Sequence, residues 1–278
     1  MILSDLFRCP HTGLELIQDE NAAYSADGEH RYEIADGIPD FYIDGGGAAG
    51  TDDEANRKWL DADCVEGRDL YYERCYDWEG MSFCLEQISR LSYNKCRILE
   101  VGAGTGHFSR WICDVSQPGA QLYAFDFSQP CLKKTQEKVE GRPGVSLFRA
   151  NARGPMPFAP QSFDIILQRL APFNAKGADI GEKMQRILDL LAPNGHYLFA
   201  GWDDDYGANC STYTDHGFSR AQYHRWQYPY YFEEREFVGG ALEGGASLAE
   251  AEEQLRAAKK EENGLFRLRG EHLIIAQK

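Results

Sequence analysis

The residues of this chain best spaced to hold a nucleotide lie in and just after Ile98-Leu99-Glu100-Val101-Gly102-Ala103-Gly104-Thr105-Gly106-His107-Phe108. The segment reads as an apolar strand, a turn with glycine at every second position, and a helix start. Glycines in such a turn allow positive φ and let a ligand lie against the main chain, where the helix N-terminus offers N–H donors. A dinucleotide site spaces its glycines G-x-G-x-x-G, which would put the third at position 107. Here 107 is histidine and the third glycine stands at 106. Asp126 follows the next apolar run, twenty-four residues after Gly102. A carboxylate there can accept two hydrogen bonds from a ribose diol. Its alternative use is to cap the following helix, a role that suits Ser128 better.

The elements needed to position these groups alternate regularly. Arg97–Val101, Gln121–Phe125, Val145–Arg149, Phe163–Leu167 and Gly195–Ala200 read as strands. Thr105–Cys113, Cys131–Val139 and Ile180–Leu191 read as helices. That βαβ rhythm predicts a parallel sheet covered by helices, an α/β fold. Leu265–Arg269 and His272–Gln277, joined at Gly270, read as a closing hairpin that places one antiparallel strand in the sheet. Ser247-Leu248-Ala249-Glu250 is a capping box, and Leu248, Ala251, Leu255 and Ala258 mark one face of the helix it starts.

Further short runs follow in order: Arg149-Ala150-Asn151-Ala152-Arg153 with Met156-Pro157-Phe158, then Phe163-Asp164-Ile165-Ile166-Leu167-Gln168, then Leu191-Ala192-Pro193-Asn194-Gly195-His196-Tyr197-Leu198. With Glu100 and the glycine turn, this series over 97–200 resembles the class I S-adenosylmethionine (SAM) methyltransferases. The resemblance implies a Rossmann-like seven-stranded sheet with SAM across the carboxyl ends of its first three strands. Glu100 would then hold the methionine end, Asp126 the ribose and Asn151 the adenine. Asn151 replaces the family's usual acid, but its amide oxygen can still accept a hydrogen bond. Phe127 would pack on the adenine face or serve as a core aromatic. Gly102, Ala103, Gly104, Gly106, His107, Ala152 and Gln168 complete the implied cofactor set.

Residues 1–44 read as a separate β-rich module with two basic residues, Arg8 and Arg31, against ten acids. Leu14 to Gln18, Arg31 to Ile34 and Phe41 to Ile43 read as its strands, and Leu14, Leu16, Tyr32, Ile34, Ile38 and Phe41 as its core. Leu6-Phe7-Arg8-Cys9-Pro10-His11-Thr12-Gly13-Leu14 and Tyr32-Glu33-Ile34-Ala35-Asp36-Gly37-Ile38-Pro39 resemble the Trm112-like zinc ribbons. A structural zinc site takes four ligands, and Cys9, His11 and His30 supply three at most, so no metal is expected. A ribbon ahead of such a core is also similar to the bacterial ribosomal RNA guanine-N1 methyltransferases, as is Gln168-Arg169-Leu170-Ala171-Pro172-Phe173. A glycine-rich linker at 45–52 and helices over 53–96 precede the core at 97–278. Tyr71, Tyr72 and Tyr76 in those helices are candidates for a flap over the cofactor or for packing.

The acceptor side of this fold points to Arg169, Phe173, Trp202 and Asp203, and to an insertion at 203–246 with no clear period. Tyr223, Trp226 and Tyr230 belong to a run with six aromatics in ten residues, read as a lid over a flat or apolar substrate or as rings packed on the domain. His216 and His224 are the candidate general bases. The 278 residues carry 29 basic and 44 acidic side chains, net −15. That balance speaks against a phosphate-backbone partner. No run is apolar enough for a membrane helix, and Met1 to Leu6 is too short and acidic for a signal, so a cytoplasmic protein with reduced thiols is expected. The expected function is SAM-dependent methylation of a small molecule, as in secondary metabolism. An RNA methyltransferase and a non-catalytic SAM-fold binding protein are the alternatives.

Overall fold

The computed structural model describes residues 3–43, 61, 78–169, 180–202, 209–232, 238, 246–261 and 264–278, with side chains undescribed at 78, 79, 202, 228–232, 259–261 and 264–270. The expected flap tyrosines, Phe173 and Asp203 lie outside the described residues. Four parallel strand pairings build the centre of the main sheet: β5 (Arg97–Val101) with β6 (Gln121–Asp126), β6 with β7 (Val145–Arg149), β5 with β8 (Phe163–Arg169), and β8 with β9 (Leu191–Trp202). β12 (Gly264–Gln277) runs antiparallel to β9, and β10 (Arg220–Phe232) runs antiparallel to β12. The order is β7-β6-β5-β8-β9-β12-β10, with β11 (Lys259–Glu261) paired beside β12. The chain reverses direction across the sheet between β5 and β8. At such a switch point a crevice opens beyond the carboxyl ends of the strands.

Alternation along each strand separates two cores. Ile98, Leu122, Ile165, Leu167 and Leu198 face α1 (Trp78–Leu91), α2 (His107–Val115) and α3 (Gln129–Lys138). Leu99, Tyr123, Phe125, Ile166 and Tyr197 face Met184 and Ile187 of α4 (Ile180–Leu190). Ser128 caps α3 by accepting from Cys131 N, which frees Asp126 from that task. The capping box of α6 (Leu248–Ala257) is present, but of the expected face Ala251 is buried while Leu248 is exposed.

Two expectations change on the acceptor side. The aperiodic insertion contains α5 (Cys210–Thr214) and a thirteen-residue strand, β10. Its aromatics have the high β-propensity of strand residues, and its one proline sits on an edge strand, where a missing donor costs nothing. The closing hairpin is instead one strand, because β10 pairs with β12 along its whole length and Gly270 stays in register opposite Gln227.

The N-terminal residues form an antiparallel sheet of β1 (Leu16–Gln18), β2 (Ala22–Ser25), β3 (Arg31–Ala35) and β4 (Ile38–Pro39). It is not detached. Phe7, Tyr32 and Phe41 share one core with Phe148, Phe158 and Tyr123. Phe41 N donates to Arg149 O at 2.8 Å and Arg8 N to Pro157 O at 2.9 Å. The expected strand at Phe41–Ile43 is thus a backbone seam along the open edge of β7, which would otherwise present unpaired groups. Cys9 Sγ lies 3.1 Å from the Tyr32 hydroxyl, and His11 and His30 stack at 4.4 Å. Cys131 is disulfide-bonded, contrary to the expectation of reduced thiols, while Cys9, Cys84, Cys96, Cys113 and Cys210 are free. No described helix is long and apolar enough to cross a membrane.

Candidate cofactor site

The glycine turn joins β5 to α2, with Gly102, Gly104 and Gly106 all at positive φ. Gly106 is fixed twice over. Its φ is 82°, and a Cβ there would fall 2.5 Å from Thr135 Cα on α3. Thr135 Oγ1 donates to Gly104 O at 3.0 Å, tying the turn to that helix. The buried Thr105 Oγ1 has no hydrogen-bond partner among the described residues.

Glu100 and Asp126 end adjacent strands, and both are buried. Ser109 Oγ donates to Glu100 Oε2 at 2.6 Å. Burial pushes the Glu100 carboxyl up to about 8; the Ser109 bond opposes this and the charge of Asp126 adds to it. Asp126 accepts Gly104 N on Oδ2 and Ser128 N on Oδ1, each at 2.9 Å. Each carboxylate oxygen has two lone pairs, so both can also accept a hydroxyl. Asp61 Oδ1 accepts from Ser128 Oγ at 2.6 Å, bringing residue 61 beside this loop.

Phe127 is half-buried and Asn151 buried. Asn151 Oδ1 takes Arg153 N at 3.0 Å and its carbonyl takes Gly154 N at 2.9 Å, which closes the turn after β7. Arg186 of α4 grips that turn from below by donating to the carbonyls of Ala152, Arg153 and Gly154. Ala152 packs at the margin of the core on the α4 face. His107 begins α2 beside Trp111.

A cleft is lined by Glu100, Val101, Gly102, Ala103, Phe108 and Arg169. Arg169, expected on the acceptor side, therefore shares a wall with the cofactor residues. Its guanidinium lies over the Phe108 ring at 5.6 Å, and its Nη2 is 3.4 Å from Oε1 and 3.5 Å from Oε2 of the fully buried Glu271. A wider hollow lined by Ile112, Cys113, Gln117 and Arg142 lies at the opposite end of the sheet and shares no residue with this cleft.

Of the other expected site residues, Gln168, Trp226, Tyr223, His224 and His216 are not brought to the cleft, and the side chains of Trp202 and Tyr230 lie outside the described ones. The Gln168 side chain accepts the Tyr197 hydroxyl at 2.6 Å, on the opposite face of the sheet from Glu100. Trp226 is buried against Gly80 and Phe83 of α1. Tyr223 stacks on His272 on the other face. Trp202 ends β9, and Tyr230 lies in β10 opposite Arg267. His224 packs on Phe83. Arg169, Ala200, Leu273 and His224 are partners across four strands, so His224 stands three strand spacings, roughly 14 Å, from Arg169. His216 precedes Arg220, which is in register with Gln277 and His196 at the amino end of the sheet. Six residues of β9 separate that level from Trp202, roughly 20 Å of strand.

Sequence reasoning missed Ser109, Thr135, Arg186, Arg149 and Glu271. Only Glu271 carried a signal, an acid next to the apolar run Leu273–Ala276. The groups present fit those of SAM: one acid can accept from its ammonium, a second from its ribose hydroxyls, and an arginine can donate to its carboxylate.

Comparison with known proteins shows similarity in the domain and in the fold. A family model described as a methyltransferase domain matches residues 98–195. An uncharacterized methyltransferase of Geobacillus kaustophilus is 32% identical over 103 residues, covering 37% of this chain and 45% of that protein. The malonyl-[acyl-carrier protein] O-methyltransferase of Methylococcus capsulatus is 28% identical over 116 residues, 42% of this chain and 41% of that one. The chain thus spans less than half the length of these curated relatives. Among solved structures, the YcgJ protein of Bacillus subtilis superposes with a TM-score of 0.53 at 16% identity, covering 72% of this chain and 98% of that one. The phosphoethanolamine N-methyltransferase 2 of Haemonchus contortus, solved with SAM, gives 0.52 at 15% identity, over 86% of this chain and 61% of that one. Residues 98–195 therefore match a methyltransferase-domain family model, and the fold is the Rossmann-like one of these solved structures.

Proposed function

We propose that the protein is a SAM-dependent methyltransferase acting on a small-molecule acceptor. The observation that carries this reading is the pair of buried carboxylates, Glu100 and Asp126, on adjacent strand ends around the glycine turn, with Arg169 across the cleft. When bound, SAM supplies an electrophilic methyl group on a sulfonium. Glu100 faces its ammonium, and Asp126 takes the ribose hydroxyls. Phe127 and Asn151 flank the adenine. Arg169 is reassigned from the acceptor to the methionine carboxylate, held in place by Glu271. A zwitterionic ligand end is then met by one acid and one guanidinium, each at its opposite charge.

Methyl transfer needs the acceptor aligned with the methyl carbon and water excluded. Phe108, against Arg169, supplies apolar wall for both tasks. The net charge of −15 opposes approach of a polyanion, which favours a small acceptor over RNA. The test uses SAM labelled on its methyl group, the purified protein and a cell extract. Label should appear in low-molecular-weight products that separate from SAM on chromatography, and only when the protein is added. Label in RNA or protein precipitates alone would overturn the small-molecule reading, and failure to bind SAM or S-adenosylhomocysteine by calorimetry would overturn the enzyme reading itself.

A further inference from the structure

The N-terminal sheet has no part in the chemistry described so far, yet its last residues end against Arg149 and Gly154, next to the turns assigned to the adenosine. Asp40, Tyr42 and Ile43 follow β4 and run past the carboxyl end of β7. There they meet both turns assigned to the adenosine, the one at Phe127 and the one at Asn151–Gly154.

We propose that the N-terminal sheet is a built-in wall of the nucleoside half of the cofactor site, with Arg149 the positioning residue that couples it to the ribose-binding loop. The inference rests on the proposed SAM site and deepens it.

Arg149 engages three groups at once. Its Nη1 pairs with Asp40 Oδ2 at 2.6 Å, its Nε donates to Phe127 O at 2.9 Å, and its guanidinium lies 4.6 Å from the Tyr42 ring centroid. A planar fork with fixed donor directions can make all three contacts together, which a lysine cannot. The side chain is 15% exposed, so solvent screens these contacts less than those of a surface pair. The Phe127 carbonyl that it holds lies between Asp126 and Ser128. Asp126 in turn receives Ser128 N and Gly104 N. A connected path of polar contacts therefore runs from Asp40 through Arg149 to the ribose acid and the glycine turn.

The second contact is made by backbone. The Ile43 carbonyl oxygen would lie 2.8 Å from a Cβ on Gly154, so only glycine admits this close an approach. Gly154 N closes the Asn151 turn. Farther back, Asp36 pairs with Lys133 of α3 at 2.8 Å, and its carbonyl accepts from Gln136 at 2.9 Å. The sheet thus grips α3, the Phe127 loop and the Asn151 turn. The Phe127 loop and the Asn151 turn are those assigned to the adenosine, and α3 carries the Thr135 bond to the glycine turn.

The test measures binding of S-adenosylhomocysteine and of methylthioadenosine, which lacks the amino-acid end, by calorimetry on the full chain well below its melting temperature. Arg149→Lys keeps the charge facing Asp40 but loses the planar fork. Both ligands should weaken by the same factor, tenfold or more. Tyr42→Leu, at a half-buried position, should weaken both severalfold, and it stands as the test should Arg149→Lys not fold. The exchange Asp40→Arg with Arg149→Asp should restore the melting temperature without restoring affinity, because the bond to Phe127 O is still missing. Unchanged affinity in folded variants would overturn the proposal, as would loss confined to S-adenosylhomocysteine or affinity recovered by the exchange. A wild-type protein that binds neither ligand would instead refute the SAM site.

Discussion

Glu100 is the residue on which burial and function pull in opposite directions. Its carboxyl, normally near 4.5, is raised to about 8 by desolvation. A raised acid holds its proton more tightly folded than unfolded. Its contribution to stability is therefore fully present below about pH 4.5 and is lost as pH rises through 8. Glu100→Gln should flatten that part of the stability profile between pH 5 and 8, measured by urea unfolding across the range. The same group must be ionised to meet an ammonium. Cofactor binding near pH 6.5 should then release about one proton in the wild type and none in Glu100→Gln. Calorimetry in two buffers of different ionisation enthalpy reads this directly, and equal proton release in both proteins would remove Glu100 from the site.

At the scale of elements, the joint between the glycine turn and α3 depends on Gly106. Alanine there would carry left-handed strain and also overlap Thr135. Together these should cost about 2–4 kcal/mol, seen in the urea midpoint; a cost under about 0.5 kcal/mol would mean that the turn relaxes freely. This joint was half legible in the sequence. The glycines, Glu100 and Asp126 announced themselves because a tight turn and a ribose each demand particular residue types at close spacing. Thr135 and Arg186 did not, since a threonine or an arginine on a helix looks the same whether it braces a loop or faces water. Strand β10 was missed for a related reason. Its aromatics were strand formers, but polar residues between them hid the period, and its partner β12 lies beyond a long stretch of chain. Of the two readings of Trp226, part of a lid or a ring packed on the domain, the second holds: it fills the space above Gly80. The parallel sheet was legible because amphipathic helices α2, α3 and α4 separate its strands, although the connection from β7 to β8 carries none.

For the molecule as a whole, the open question is whether residues 3–43 fold as an appendage or as part of the core. A four-stranded sheet of about 40 residues buries too little surface to be stable alone without disulfides or metal. Its apolar side chains are instead completed by the main sheet. Phe41 lies 5.2 Å from Phe7, 5.1 Å from Tyr32 and 6.3 Å from Phe148, ring to ring. Tyr32 belongs to β3 of the small sheet, Phe7 to the segment before β1, and Phe148 to β7. Replacing Phe41 by alanine should therefore destabilise the whole chain by about 3–5 kcal/mol, a fall of roughly 10 °C in melting temperature at this size. The loss should appear in one transition, coincident in far-ultraviolet and near-ultraviolet circular dichroism, because the seam from Phe41 N to Arg149 O closes the edge of the large sheet as well as the small one. An early partial transition that left the main one unmoved would mean a detached module, and the wall proposed for the adenosine site would then have nothing rigid behind it.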